Sequence, residues 1–136
     1  MLKDIIDDII EKFEEKEVSP VYSAFDGRSI ERRGRSFFTV VGISGFESSQ
    51  PIYSPYKVYI PFKAEIELNV TAPENSSVEA LYEYYDRNIA TVVFDMSGLT
   101  CRLSKMSVKF DSNIQRLVLC IRLAAGGITK IERSNV

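Results

Sequence analysis

The sequence contains no histidine among its 136 residues. That absence removes Ser-His-Asp and Cys-His catalysis and every zinc site that uses imidazole. It also removes the side chain that titrates near neutral pH. An enzyme built on this chain would draw its proton transfers from carboxylates, lysine or tyrosine. Cysteine is scarce: Cys101 and Cys120 fall in different predicted strands, with no metal-ligand spacing. They read as small hydrophobes in a reducing compartment, with a cross-strand disulfide as the alternative. No apolar run approaches the roughly 18 residues of a membrane span. The acidic, amphipathic N-terminus is unlike a signal peptide. A cytoplasmic location without a membrane partner is the expectation. The sequons Asn69-Val70-Thr71 and Asn75-Ser76-Ser77 would matter only in a secreted protein. There is no internal repeat and no low-complexity segment.

What remains is ordinary for a globular domain: 45% hydrophobic and 26% charged residues. The length predicts one domain, residues 1–136. The net charge of −2 is unevenly placed. Residues 1–17 carry seven acids against three lysines, net −4, and residues 26–35 carry four arginines against two acids, net +2. This is not a nucleic-acid-binding composition. Two charged poles suit a protein that packs against copies of itself or a neighbour.

The clearest pattern is Val58 to Val70. Its even positions, Val58, Ile60, Phe62, Ala64, Ile66, Leu68 and Val70, are all apolar, and its odd positions carry Tyr59, Pro61, Lys63, Glu65, Glu67 and Asn69. This period of two predicts a strand with one buried and one wet face, about 40 Å long. Pro61 cannot donate a ladder hydrogen bond, which predicts an edge segment or a bend.

Upstream, Leu2, Ile5, Ile6, Ile9, Ile10 and Phe13 predict an amphipathic helix from Leu2 to Lys16, ended by Ser19-Pro20. Val21 to Phe25 reads as a short strand closed by Asp26-Gly27. In the polar connection after it stand Arg28, Arg32, Arg33 and Arg35. A solvated loop and an interface or anion-binding loop are the two readings, since arginine is enriched in interfaces. Phe37 to Phe46 predicts a central strand whose Gly42 and Gly45 mark a bulge or twist. The Ser/Pro/Tyr segment 47–57 is an exposed loop. Tyr53 and Tyr56 there are candidates for contacts outside the domain, or for lying over their own sheet.

Downstream, Ser76 or Ser77 caps a second helix, with Glu79 placed as in a capping box after Ser76. Val78, Leu81, Tyr82, Tyr85, Ile89, Val92 and Val93 form its apolar face. Tyr82, Tyr84 and Tyr85 admit an aromatic-ligand platform, and core or boundary tyrosines explain them more simply. From Thr100 to Phe110 the alternation slips by one residue near Ser104-Lys105, which predicts a bulge. Asp111-Ser112-Asn113 turns the chain into a final strand, Ile114–Leu123, which Ala124-Ala125-Gly126-Gly127 is expected to break. Residues 128–136 then form a loose end or a partner-pairing arm. The predicted fold is α+β: a mostly antiparallel twisted sheet of about five strands with two helices on one face.

That order resembles the small fold of the tail terminator, or tail-completion, proteins of bacteriophages and prophages. The likeness lies in three places: the N-terminal helix LKDIIDDIIEKF, the strand-to-helix run AEIELNVTAPENSSVEALYEYYDRNI, and the hairpin KFDSNIQRLVLCIRLAAGG. The resemblance implies a structural protein of the virion tail, present in the host cytoplasm during assembly, with no catalytic residue, cofactor or metal. It implies a homo-oligomeric, hexameric ring that caps the tail tube and joins it to the head-tail connector. On that reading Tyr53, Tyr56 and Tyr59 meet a neighbouring subunit at the projecting Val58–Phe62 end of the long strand. The arginines at 28, 32, 33 and 35 meet an acidic neighbour or line a lumen, where contact with DNA would not read sequence. Two other classes stand beside it. One is a small ligand-binding or regulatory α+β domain with a pocket near Tyr82 and Tyr85. The other is an enzyme using Glu65 and Glu67, which lie on one strand face about 6–7 Å apart.

Overall fold

The computed structural model describes residues 2–18, 21–23 and 37–133. Helix α1 spans Leu2–Glu15 and buries Ile5, Ile9 and Phe13. Strand β1 is Val21–Ser23, β2 Phe38–Ser48, β3 Ile52–Tyr53 and β4 Lys57–Thr71. Helix α2, Val78–Tyr84, runs through a π turn, Tyr85–Ile89, into α3, Ala90–Val93. The hairpin of β5, Leu99–Asp111, and β6, Arg116–Glu132, completes the fold. Ser19-Pro20, the end of the first predicted strand, its closing turn and residues 134–136 lie outside the described residues.

The fold is α+β. The six-stranded sheet has the order β1-β2-β4-β6-β5, with β3 added to β4 beyond the end of β2. It is mixed, because β1 runs parallel to β2 while the other pairings are antiparallel. The helices pack on one face. There Phe62, Ala64, Ile66, Leu68 and Val70 of β4 meet Leu119, Ile121, Leu123 and Ala125 of β6, with Leu81, Ile89, Val92 and Val93 above them. The opposite, open face carries Lys63, Glu65, Glu67 and Asn69.

β4 lies between β2 or β3 on one side and β6 on the other, so the edge expectation for Pro61 is corrected. Its carbonyl accepts the Ser49 N–H at 2.8 Å. A strand residue aims its N–H and C=O to the same side. The missing Pro61 donor therefore faces Ser49, between the end of β2 at Ser48 and the start of β3 at Ile52. Proline is accommodated because β2 has ended one residue earlier, and only the Ser49 N–H to Pro61 carbonyl half of a bonded pair is made there.

The two expected bulges are present, between Ile43 and Gly45 and between Leu103 and Lys105. The expected break after Leu123 is absent. β6 continues through Gly126-Gly127, and Ile128–Glu132 pairs with Lys57–Pro61. Gly127 is there for space: a Cβ on it would meet the Gly98 carbonyl oxygen at 2.7 Å and the Phe62 ring at 3.0 Å. Gly98, at φ +82, makes the turn that brings that carbonyl in.

Ser77 caps α2, its hydroxyl accepting the Ala80 N–H at 3.1 Å. Glu79 is therefore not placed for the capping box. Helix α1 ends with Glu17 at φ 56 and with the Val18 N–H on the Phe13 carbonyl, a Schellman closure at a position where glycine is usual.

Candidate interface

The chain leaves the covered part of the sheet as a three-stranded ribbon: β3, the first four residues of β4, and the last of β6. Register assigns its two faces. Ile52, Tyr59 and Ile128 lie on the open side, and Tyr53, Val58 and Ile131 on the side of the helices. Neither face is covered. Tyr53 is 67% exposed, Tyr56 65% and Ile128 63%, and Ile52, Tyr59 and Ile131 are also exposed. Scattered single apolar residues on a surface are normal, but here Ile52, Tyr59 and Ile128 cluster on one face of a short ribbon, Tyr53 and Ile131 on the other, and Tyr56 at its tip.

The tip of this ribbon is cross-tied by polar contacts. The Ser54 hydroxyl donates to the Lys57 carbonyl at 2.9 Å and accepts the Lys57 N–H at 3.1 Å. The Arg133 N–H donates to the Tyr56 carbonyl at 2.7 Å, and its guanidinium donates to the Ser54 carbonyl at 2.8 Å. That guanidinium also lies 5.5 Å from the centre of the Tyr53 ring, a cation–π contact. Lys57 and Glu132 are 3.8 Å apart. Two exposed tyrosines are thus presented by a restrained turn, which lowers the ordering cost of a contact made through them.

Of the expected contact residues, Tyr53, Tyr56 and Tyr59 are brought together here. Arg28, Arg32, Arg33 and Arg35 lie outside the described residues. Ile52, Ile128 and Ile131 were not among the expected site residues. Ile52 stood in a segment read as loop, and the other two stood beyond a glycine pair read as a break.

On the open face, a shallow trough of about 620 Å³ crosses β2, β4, β6 and β5. Its floor includes Gly45, Ala124 and Gly126, and Glu47, Lys63, Thr100, Arg102 and Ser104 stand around it. Glu65 also lines it and is held by Arg122 at 3.4 Å. The tyrosine platform does not form. Tyr84 is buried and stacks on Phe37, with ring centres 4.0 Å apart, while Tyr82 is exposed. The cysteines are free. Cys101 stands opposite Ala125 and Cys120 opposite Ser107, too far along the hairpin to bond. Burial pushes the Cys101 thiol up, away from the reactive thiolate. Among the described residues no group of three acidic or cysteine side chains is placed to hold a metal ion. None of the described helices is long and apolar enough to cross a membrane.

No protein-family model matches this chain, and no curated protein matches it.

Proposed function

We propose that this chain is a structural subunit of a bacteriophage or prophage tail: a tail terminator that forms a ring, caps the tail tube and joins it to the head-tail connector. The observation that carries the reading is the exposed ribbon, which leaves apolar side chains uncovered on both faces, beside Lys57, Lys130 and Glu132 on the open one, and is cross-tied at its tip. A monomer gains nothing from ordering six apolar side chains in water. A ring subunit gains interface area from them, with tyrosines as anchors.

In a closed ring each copy offers the ribbon to the next, and the contact is heterologous. One annular face then ends the tube and the other receives the neck. Six copies is the ring size that the resemblance implies. Arg28, Arg32, Arg33 and Arg35 would meet an acidic neighbour or, in the lumen, DNA phosphates without sequence preference. The reading places the protein in the virion tail, and in the host cytoplasm during assembly. It assigns no catalysis and no cofactor.

The trough on the open face favours a second reading, a ligand-binding domain. A thermal-shift screen against small metabolites separates the two, because a ligand that binds only the folded state raises the melting temperature. For the tail reading, purified protein is added to tail tubes that lack a terminator. Expected are capped tubes of fixed length. Tubes that continue to grow, with the protein left in solution, would overturn it.

A further inference from the structure

We propose that the outer stripe of β5 is the docking surface for helix α1 of a second copy of this chain. The inference rests on the self-assembly proposed above and names one of its contacts. β5 ends the sheet, bonded to β6 on one side and, among the described residues, to no strand on the other. Thirteen residues of open edge are a length that proteins guard or use. The register sets Arg102, Lys105 and Lys109 on the open face, opposite Ala124, Arg122 and Val118. All three cations are exposed, and none forms an ion pair among the described residues. On the strand's other face Leu103 and Phe110 are exposed too, while Met106 and Val108 between them are half-buried against the core.

The complementary surface is on the same chain, on a helix whose Asp8 and Glu11 border the turn Met96–Gly98 that leads into β5. Helix α1 packs over β1 and β2. Its exposed face holds Asp7, Asp8, Glu11 and Glu14. Asp7 is taken by Lys3 at 2.8 Å, but Asp8, Glu11 and Glu14 form no ion pair among the described residues. Asp8 to Glu14 spans about 9 Å of helix and Arg102 to Lys109 about 23 Å of strand, so the acids cover the Lys105–Lys109 part of the stripe, about 13 Å.

The charge pattern also disfavours contacts of like with like. Pairing β5 with β5 about a two-fold axis would bring cation against cation, which is destabilising. Pairing α1 with α1 would bring acid against acid. Acid on one element and base on another match head to tail, or reciprocally about a two-fold in which each α1 meets the other copy's β5; the ring proposed above takes the first, which closes where the rotation closes. Such a contact sets partner orientation and association rate, while the apolar ribbon supplies area.

The test is a charge swap read by light scattering on a sizing column, in low and high salt. One variant carries Lys105→Glu and Lys109→Glu, a second Glu11→Lys and Glu14→Lys, and a third all four. The positions are exposed, and circular dichroism and thermal melts check the fold. A milder pair, Lys105→Gln with Lys109→Gln, serves if a reversal unfolds. Expected is that each double reversal raises the concentration needed for assembly about tenfold or more, and that high salt weakens the wild type. The fourfold variant, and an equal mixture of the two doubles, then recover assembly. Reversals without effect, or a swap that restores nothing, overturn the contact while leaving the ring reading standing. A wild type that stays monomeric at every concentration overturns both. A swap that restores assemblies which fail to cap tail tubes supports the contact and removes the tail-terminator reading.

Discussion

Two adjacent glycines in β6 are expected to respond to alanine with opposite signs. A Cβ on Gly127 would stand 2.7 Å from the Gly98 carbonyl oxygen and 3.0 and 3.2 Å from two atoms of the Phe62 ring. The oxygen belongs to backbone and cannot swing aside, and Phe62 is buried in the core. Overpacking of this kind costs about 1–3 kcal/mol. Removing glycine's freedom from the unfolded chain returns about 0.4–1 kcal/mol. From the middle of both ranges, Gly127→Ala is therefore expected to lose about 1–1.5 kcal/mol net. At Gly126 the nearest atom to a new Cβ is 3.8 Å away, ordinary van der Waals contact. Gly126→Ala is expected to gain about 0.4–1 kcal/mol. Urea unfolding at 25 °C, with the slope held constant between variants, reads both. The reasoning fails if Gly127→Ala is neutral or stabilising. It also fails if the two substitutions move stability the same way, since then β6 would not run beneath Phe62 as described.

Tyr53→Ala with Tyr56→Ala is expected to weaken assembly by about 2 kcal/mol or more while leaving the urea midpoint of the dissociated chain nearly unchanged; equal losses in both would make these tyrosines structural. Glu17→Gly is expected to stabilise by about 0.5–1 kcal/mol, because glycine meets no Cβ penalty at φ 56, and a thermal melt would show it. Burial, and then the charge of Asp86, raise the Tyr85 phenol above its ordinary value of 10.0. The folded state thus keeps that proton to higher pH than the unfolded state. The stabilisation is whole below pH 10.0 and is lost as pH climbs through the folded-state value. Tyr85→Phe is expected to flatten the alkaline limb of the stability profile, and an unchanged limb would refute this.

Much of the fold was legible because a two-layer packing imposes a period. Every second residue from Phe62 to Val70 is buried, so the pattern of β4 could be read directly. The bulges showed as glycines in β2 and as a phase slip in β5. The continuation of β6 did not show. Ala124 to Gly127 carry almost no side chain, and a close approach of neighbouring groups leaves the same trace in a sequence as a turn. β3, two residues long within a Pro/Ser segment, has no period to detect. Nothing in the alternation of β1 or β2 reports that they run parallel. Around the π turn the helical face shifted, so Tyr84 rather than Tyr82 is buried. The tyrosines of the ribbon were legible as candidates because they stand in a polar loop. Their isoleucine neighbours join them only through strand pairing, which composition does not encode.

Electron microscopy of the purified protein tests the assembly role of the ribbon most directly. The ribbon of Ile52, Tyr53, Tyr56, Tyr59, Ile128 and Ile131 is expected to lie at the boundary between subunits of a closed ring with an open lumen. A uniform field of single subunits at high concentration and low salt, or a ring whose ribbons point free into solvent, would contradict it.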